Sequence, residues 1–232
     1  KNPGDSGGPI KVKWSHDESV SISELYWPTP TLIPYEPLMT YGYKNFVIFP
    51  FEINNSNNVN SHIEANIDFL ICDDICVPEK AFIKTNLNEI KNDASLYDWF
   101  LKVPSQTLPV KASLNSEFID IRFSWPFDVS SAIFFIDNQD IAEHAADQNL
   151  IKEENNYLLK IKKLDDVKSL EYLSGVLSIN DNESFIIDAE IENATQNSLN
   201  ISFLQALIFA FVGGLILNLM PCVFPIISLK VL

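Results

Sequence analysis

Cations are scarce in this sequence: 16 Lys and Arg stand against 31 Asp and Glu, a formal net charge of -15 over 232 residues. That balance excludes a nucleic-acid surface, because phosphate binding needs clustered basic side chains, and it excludes peripheral docking on anionic lipid. Glycine is scarce too, at 7, while β-branched and aromatic residues abound, which points to strands. There are three cysteines, which cannot all pair within one chain, so one is free or has a partner elsewhere. No signal peptide and no initiator methionine open the sequence, and it is expected to be a piece of a longer protein. A hydrophobic fraction of 47% is ordinary for globular proteins and supplies a sizeable core.

Two of the three cysteines lie close together in Phe69-Leu70-Ile71-Cys72-Asp73-Asp74-Ile75-Cys76-Val77-Pro78-Glu79-Lys80. In a regular strand, positions i and i+4 lie roughly 13 Å apart, whereas a disulfide needs Cα atoms within about 7 Å. If the two sulfurs meet, the backbone bends between them. The apolar run before Cys72 reads as a buried strand and Val77-Pro78 as the start of a return path, which suits a bonded pair at a strand-to-turn corner. Closing so small a loop gives only roughly 2 kcal/mol of chain-entropy stabilisation, a poor staple for a large domain. The thiols stay adjacent after reduction, which favours exchange through a mixed disulfide. Asp73 and Asp74 disfavour thiolates, so the local chemistry leans towards a dithiol donor. Redox exchange, a structural bridge and half a metal site all remain open here, in that order. Zinc would want four ligands, and the third cysteine lies far away.

Residues Gly4-Asp5-Ser6-Gly7-Gly8-Pro9 spell the nucleophile loop of trypsin-like serine proteases. In such a site the serine needs a histidine and an aspartate, which there precede it. Here nothing precedes the loop, and His16, His62 and His144 show no common site, so a glycine-rich turn before a strand is the stronger reading. Alternation then marks strands at 10–14 and 20–25. The prolines of 27–37 make an irregular or edge segment. Tyr41-Gly42-Tyr43 reads as a turn leading into a strand at 46–53, and 63–71 is the strand that delivers Cys72. Residues 86–101 are the one expected helix of the first half. Val103-Pro104 and Leu108-Pro109 read as a linker, beyond which strands recur at 118–125, 132–136, 157–161, 175–179 and 185–191. The expected fold is mainly β: two antiparallel sandwiches, at 1–106 and 107–198, followed by a transmembrane segment at 199–232.

That last segment changes solvent. Residues 201–220 are apolar except for Ser202, Gln205 and Asn218, and about 20 residues span the hydrocarbon core as a helix. Pro221-Cys222-Val223-Phe224-Pro225 then interrupts it, so the Cys222 thiol is expected to face a protein interior. The acidic flank before the span and Lys230 after it place the sandwiches outside the cytoplasm.

The run Leu219-Met220-Pro221-Cys222-Val223-Phe224-Pro225-Ile226-Ile227-Ser228-Leu229-Lys230 resembles the opening transmembrane segment of the DsbD-type thiol:disulfide interchange proteins. The region of Cys72 and Cys76, followed by Val77-Pro78-Glu79, resembles that family's periplasmic amino-terminal redox domain, particularly in the ScsB-like branch, where the Asn-Pro-Gly-Asp-Ser-Gly opening is also familiar. The resemblance implies an electron relay across the bacterial inner membrane. Cytoplasmic thioredoxin feeds a membrane cysteine pair, and an immunoglobulin-like domain finally reduces periplasmic partner proteins, some of them in cytochrome maturation. It implies that Cys72 and Cys76 are the terminal dithiol and that Cys222 is one of the two membrane cysteines, in a motif with Pro221 and Pro225. It also implies an aromatic cap loop shielding the disulfide, for which Tyr41 and Tyr43 are candidates. Each transfer is attack of a thiolate on a disulfide, so no metal, flavin or nucleotide cofactor is expected. The alternatives are a membrane-anchored binding or copper-handling module with a static Cys72–Cys76 bridge and, last, a protease fragment.

Overall fold

The computed structural model describes residues 2–55, 61–73, 75–91, 93–154, 156–193, 210–211 and 213–214. The expected span at 201–220 and the Pro221, Cys222 and Pro225 motif lie outside the described residues, apart from four positions of the span. Among the described residues, no helix is long and apolar enough to cross a membrane. The chain divides into two compact units, Lys1–Asn193 and Ala194–Leu232, and the first holds every named strand.

The first half of that unit is built from short sheets. Strands β1 (Lys11–His16), β6 (His62–Cys72) and β7 (Cys76–Asn86) form a three-stranded antiparallel sheet in the order β1-β6-β7. Two-stranded ladders join β2 (Val20–Ile22) to β5 (Ile53–Asn55), and β3 (Thr31–Tyr35) to β4 (Leu38–Gly42). The β3–β4 hairpin was not legible in the sequence. Pro34 pairs with Met39 within it, and such a residue has no N–H to give a ladder. Tyr41 and Gly42, expected in a turn, are the end of β4.

Two further expectations fail here. The strand expected at 46–53 is irregular until Ile53, since Pro50 interrupts it, and the aromatic residues pack without a ladder. The helix expected at 86–101 shrinks to 3-10 turns at Leu87–Glu89 and Ala94–Leu96 and a five-residue helix α1 (Tyr97–Leu101). No side chain caps either Leu87–Glu89 or α1, and Ile90, Leu96 and Leu101 stay exposed. An apolar face that buries nothing does not hold a long helix in water.

The second half carries the densest core. Strands β8 (Gln106–Thr107), β9 (Val110–Leu114), β10 (Phe118–Phe123), β11 (Ala132–Ile136), β12 (Asn149–Lys152), β13 (Tyr157–Lys162), β14 (Tyr172–Ile179) and β15 (Glu183–Asn193) form one eight-stranded sheet. The order is β11-β14-β15-β9-β10-β13-β12, with β8 also on β15. The long strand β15 joins two faces: it runs antiparallel to β14 over Glu183 to Glu190 and parallel to β9 at Ile191 to Asn193. The result is a sandwich-like, strongly folded sheet. Alternation buries Ile119, Ile121 and Phe123 of β10, which meet Phe134, Leu159, Leu173 and Ile187 in one cluster. Among the described residues, no named ladder links β1–β7 to β8–β15.

Candidate functional site

The β6–β7 hairpin is paired residue for residue from His62 opposite Asn86 to Cys72 opposite Cys76. Strand β1 accompanies β6 only as far as the Lys11–Asp68 pair. Beyond Asp68 the hairpin therefore projects as a two-stranded finger. Cys72 and Cys76 are its last pair, disulfide-bonded with Cα atoms 4.0 Å apart, and Asp73 N–H donates to the Ile75 carbonyl across the tip. Both cysteines are exposed, as are Leu70, Ile71, Ile75 and Val77 around them, with Ile75 70% exposed. An apolar collar of this kind gives a docking protein something to cover, and truly structural disulfides are seldom so open.

Beside the finger lies a groove of about 480 Å³. Cys72, Cys76 and Phe69 line it together with Ile33 and Thr40 of the β3–β4 hairpin and Tyr43 just after it. Its floor is aromatic: Phe49 takes edge contacts from Trp27 at 4.9 Å and from Tyr43 at 5.2 Å. The Tyr43 hydroxyl donates to the Pro28 carbonyl at 2.6 Å, and burial pushes this phenol's pKa up. Tyr41 lies two residues earlier and points into the second half. Its ring meets Phe135 edge-on at 5.2 Å, and its hydroxyl is 2.8 Å from His144 Nδ1. Burial raises the Tyr41 phenol most, a backbone hydrogen bond at Ile136 lowers it, and the charge of Asp5 raises it.

The glycine-rich opening is a strap along β4. Asp5 N–H donates to the Met39 carbonyl, Tyr41 N–H donates to the Pro3 carbonyl, and Gly4 bridges Thr40. Gly4 and Gly7 have φ of 82° and 90°, so this path suits glycine. Ser6 shares a hydrogen bond with the Thr40 hydroxyl, not with a histidine, and its loop lines the groove.

The structure thus gathers Cys72, Cys76, Tyr41 and Tyr43 around one groove, while Cys222, Pro221 and Pro225 lie outside the described residues. Both cysteines are exposed, and each candidate cap tyrosine is held by its hydroxyl, Tyr41 at His144 and Tyr43 at the Pro28 carbonyl. Sequence reasoning missed His144 and the strap. His144 sits 103 residues from Tyr41, and no local pattern announces the pairing.

Fold and site together define a mainly β module with an exposed disulfide on a projecting hairpin. Residues 2–87 match the family described as thiol:disulfide interchange protein DsbD, N-terminal, and this part of the chain is a DsbD-type amino-terminal domain. Among solved structures the chain is similar to the N-terminal periplasmic domain of ScsB from Proteus mirabilis, with a TM-score of 0.65 and 18% identity over 82% of this chain and 80% of that one. At that identity the likeness is one of fold. No curated protein sequence matches the chain.

Proposed function

We propose that Cys72 and Cys76 are a redox-active pair that reduces disulfides in periplasmic partner proteins. The observation that carries this reading is the exposed disulfide closing an unaccompanied two-stranded finger beside an apolar groove. In the reduced state, one of the two thiolates attacks a sulfur of the partner's disulfide and expels the partner's other sulfur as thiolate. The second cysteine then attacks the mixed disulfide, which releases the partner as a dithiol and restores the Cys72–Cys76 bond. Two electrons move and no cofactor takes part. Asp73 beside the sulfurs disfavours the thiolate and so favours giving electrons up.

The wider role is that of an amino-terminal portion of a transmembrane reductase. In it, residues 1–106 are the redox domain, 107–198 a second sandwich, and 199–232 the first span of an inner-membrane domain. Cys222 there is one of two membrane cysteines that pass on electrons from cytoplasmic thioredoxin. Support comes from the match of residues 2–87, the likeness in fold to a periplasmic domain, and the apolar run before Pro221.

Thiol trapping in the full-length protein tests the reading. Cys72 and Cys76 are expected to cycle when thioredoxin is supplied, and Cys72→Ser or Cys76→Ser is expected to accumulate a disulfide-linked complex that reductant dissolves. A pair that stays oxidised under that drive, with no linked complex in either variant, sinks the proposal.

A further inference from the structure

One wall of the groove, the β3–β4 hairpin, is held both by the glycine-rich strap and by packing on the second half. The β3–β4 hairpin presents two faces, because successive residues alternate across a strand. Leu32 and Tyr41, a directly opposed pair, pack against the buried cluster of the second half, and Tyr41 also lines the groove that Cys72 and Cys76 border, together with Ile33 and Thr40 of the next pair. The polar link on the packed face is the Tyr41–His144 hydrogen bond. The strap adds a parallel tie, since Asn2 Nδ2 donates to the Asn138 carbonyl.

We propose that Tyr41 and His144 are positioning residues for the Cys72–Cys76 exchange. Their hydrogen bond latches the β3–β4 hairpin to the second half, fixes the width of the groove beside the sulfurs, and lets go when His144 takes a proton. The inference rests on the redox reading of the cysteine pair.

Proton accounting explains the release. The latch uses the neutral imidazole with its proton on Nε2, so that the Tyr41 hydroxyl donates to Nδ1 while its oxygen takes the backbone hydrogen bond at Ile136. With an imidazolium, Nδ1 carries its own proton and must donate to the same oxygen. The phenolic proton then needs a new acceptor in a buried place, and a buried donor without one is costly. The charged groups around this corner are Asp5 from the strap and Asp140 and Glu143 from the loop of His144; Lys163 bridges Ala142 nearby and caps the Leu164 carbonyl. Burial lowers the His144 pKa, and the charges of Asp5 and Asp140 oppose this less strongly, which is the ordering a neutral latch requires.

The test compares two reductants of the full chain, thioredoxin and a small water-soluble phosphine, with mass tagging to separate Cys72 and Cys76 from Cys222. The exposed sulfurs admit the phosphine whether or not the wall moves, whereas thioredoxin, offered directly to the pair in place of its protein partner, needs the groove. The readout is the thioredoxin-to-phosphine rate ratio of the wild type divided by that of His144→Gln at the same pH. Glutamine carries an acceptor oxygen for the Tyr41 hydroxyl and does not titrate. The quotient is expected near one at pH 7.5 and to rise about fivefold by pH 5.5, the scale set by one unpaired buried hydroxyl. Tyr41→Phe keeps the ring and loses the latch, so it is expected to show the high ratio at both pH values. A quotient that stays at one, or falls, overturns the latch while leaving the redox reading intact. Failure of thioredoxin to reduce the pair in any variant overturns both. If Tyr41→Phe loses its near-ultraviolet circular dichroism, the glutamine comparison decides alone.

Discussion

A β-carbon at position 175 would stand 2.3 Å from the Phe135 carbonyl oxygen and 2.6 Å from the Phe134 ring. Both belong to the packed core, so neither gives way cheaply. Gly175→Ala is expected to destabilise the protein by about 1–3 kcal/mol in denaturant unfolding. Gly8 is the contrast: its nearest neighbour is the far end of the Leu70 side chain at 3.3 Å, and Gly8→Ala is expected to stay within about 0.5 kcal/mol of the wild type. His144 sets the pH dependence at this scale. Burial lowers its pKa, so the unfolded chain binds the proton more readily than the folded one. Its contribution to stability is therefore complete above the ordinary histidine value of about 6.5 and is lost as pH falls from there through the folded value. Unfolding midpoints of wild type and His144→Gln measured from pH 7.5 to 5 are expected to diverge on acidification, with the wild type losing more.

At the scale of elements, the β6–β7 finger was legible and the β3–β4 hairpin was not. The apolar run into Cys72 and the turn after it are local signals that need only one partner strand. In β3–β4 the prolines that argue against a ladder are tolerated because the hairpin stands apart from the larger sheets and one face is glued to the second half. The finger's outer strand β7 has β6 as its only sheet neighbour among the described residues, and Pro78, Lys80 and Lys84 guard that edge against unwanted pairing. Its tip is exposed and adds little to the core. Ile71→Asp and Ile75→Asp are expected to slow exchange with a protein partner several-fold while shifting unfolding free energy by no more than about 0.5 kcal/mol, because both residues are exposed. Kinetics with thioredoxin and a thermal melt check the two halves of that statement.

On the scale of the whole molecule, the two halves do not share the core equally. Apart from Tyr41, every member of the buried cluster lies at position 112 or beyond. The first half offers short ladders, an exposed finger and a hairpin that borrows its packing. A fragment of residues 105–193 is accordingly expected to unfold cooperatively by itself, whereas residues 2–105 alone are expected to show a broader, lower-temperature transition, measured by circular dichroism. The net charge of -15 belongs to this scale as well: it repels acidic partners at long range, so exchange with an acidic thioredoxin-like protein is expected to quicken with added salt.

While β8, β9 and β12 were not read from it, the sequence by itself determined where β10, β11, β13, β14 and β15 of the second half run, where the cysteine pair lies, and that the pair closes a small loop. Each of these is a local matter of period-two alternation or of four residues' separation. Tertiary structure alone decided that Tyr41 meets His144, that the glycine-rich opening straps β4, and that the groove beside the disulfide takes a wall from a hairpin anchored on another half. Those contacts arise from how finished sheets stack, and side chains 103 residues apart carry no mark of their meeting until the packing brings them together.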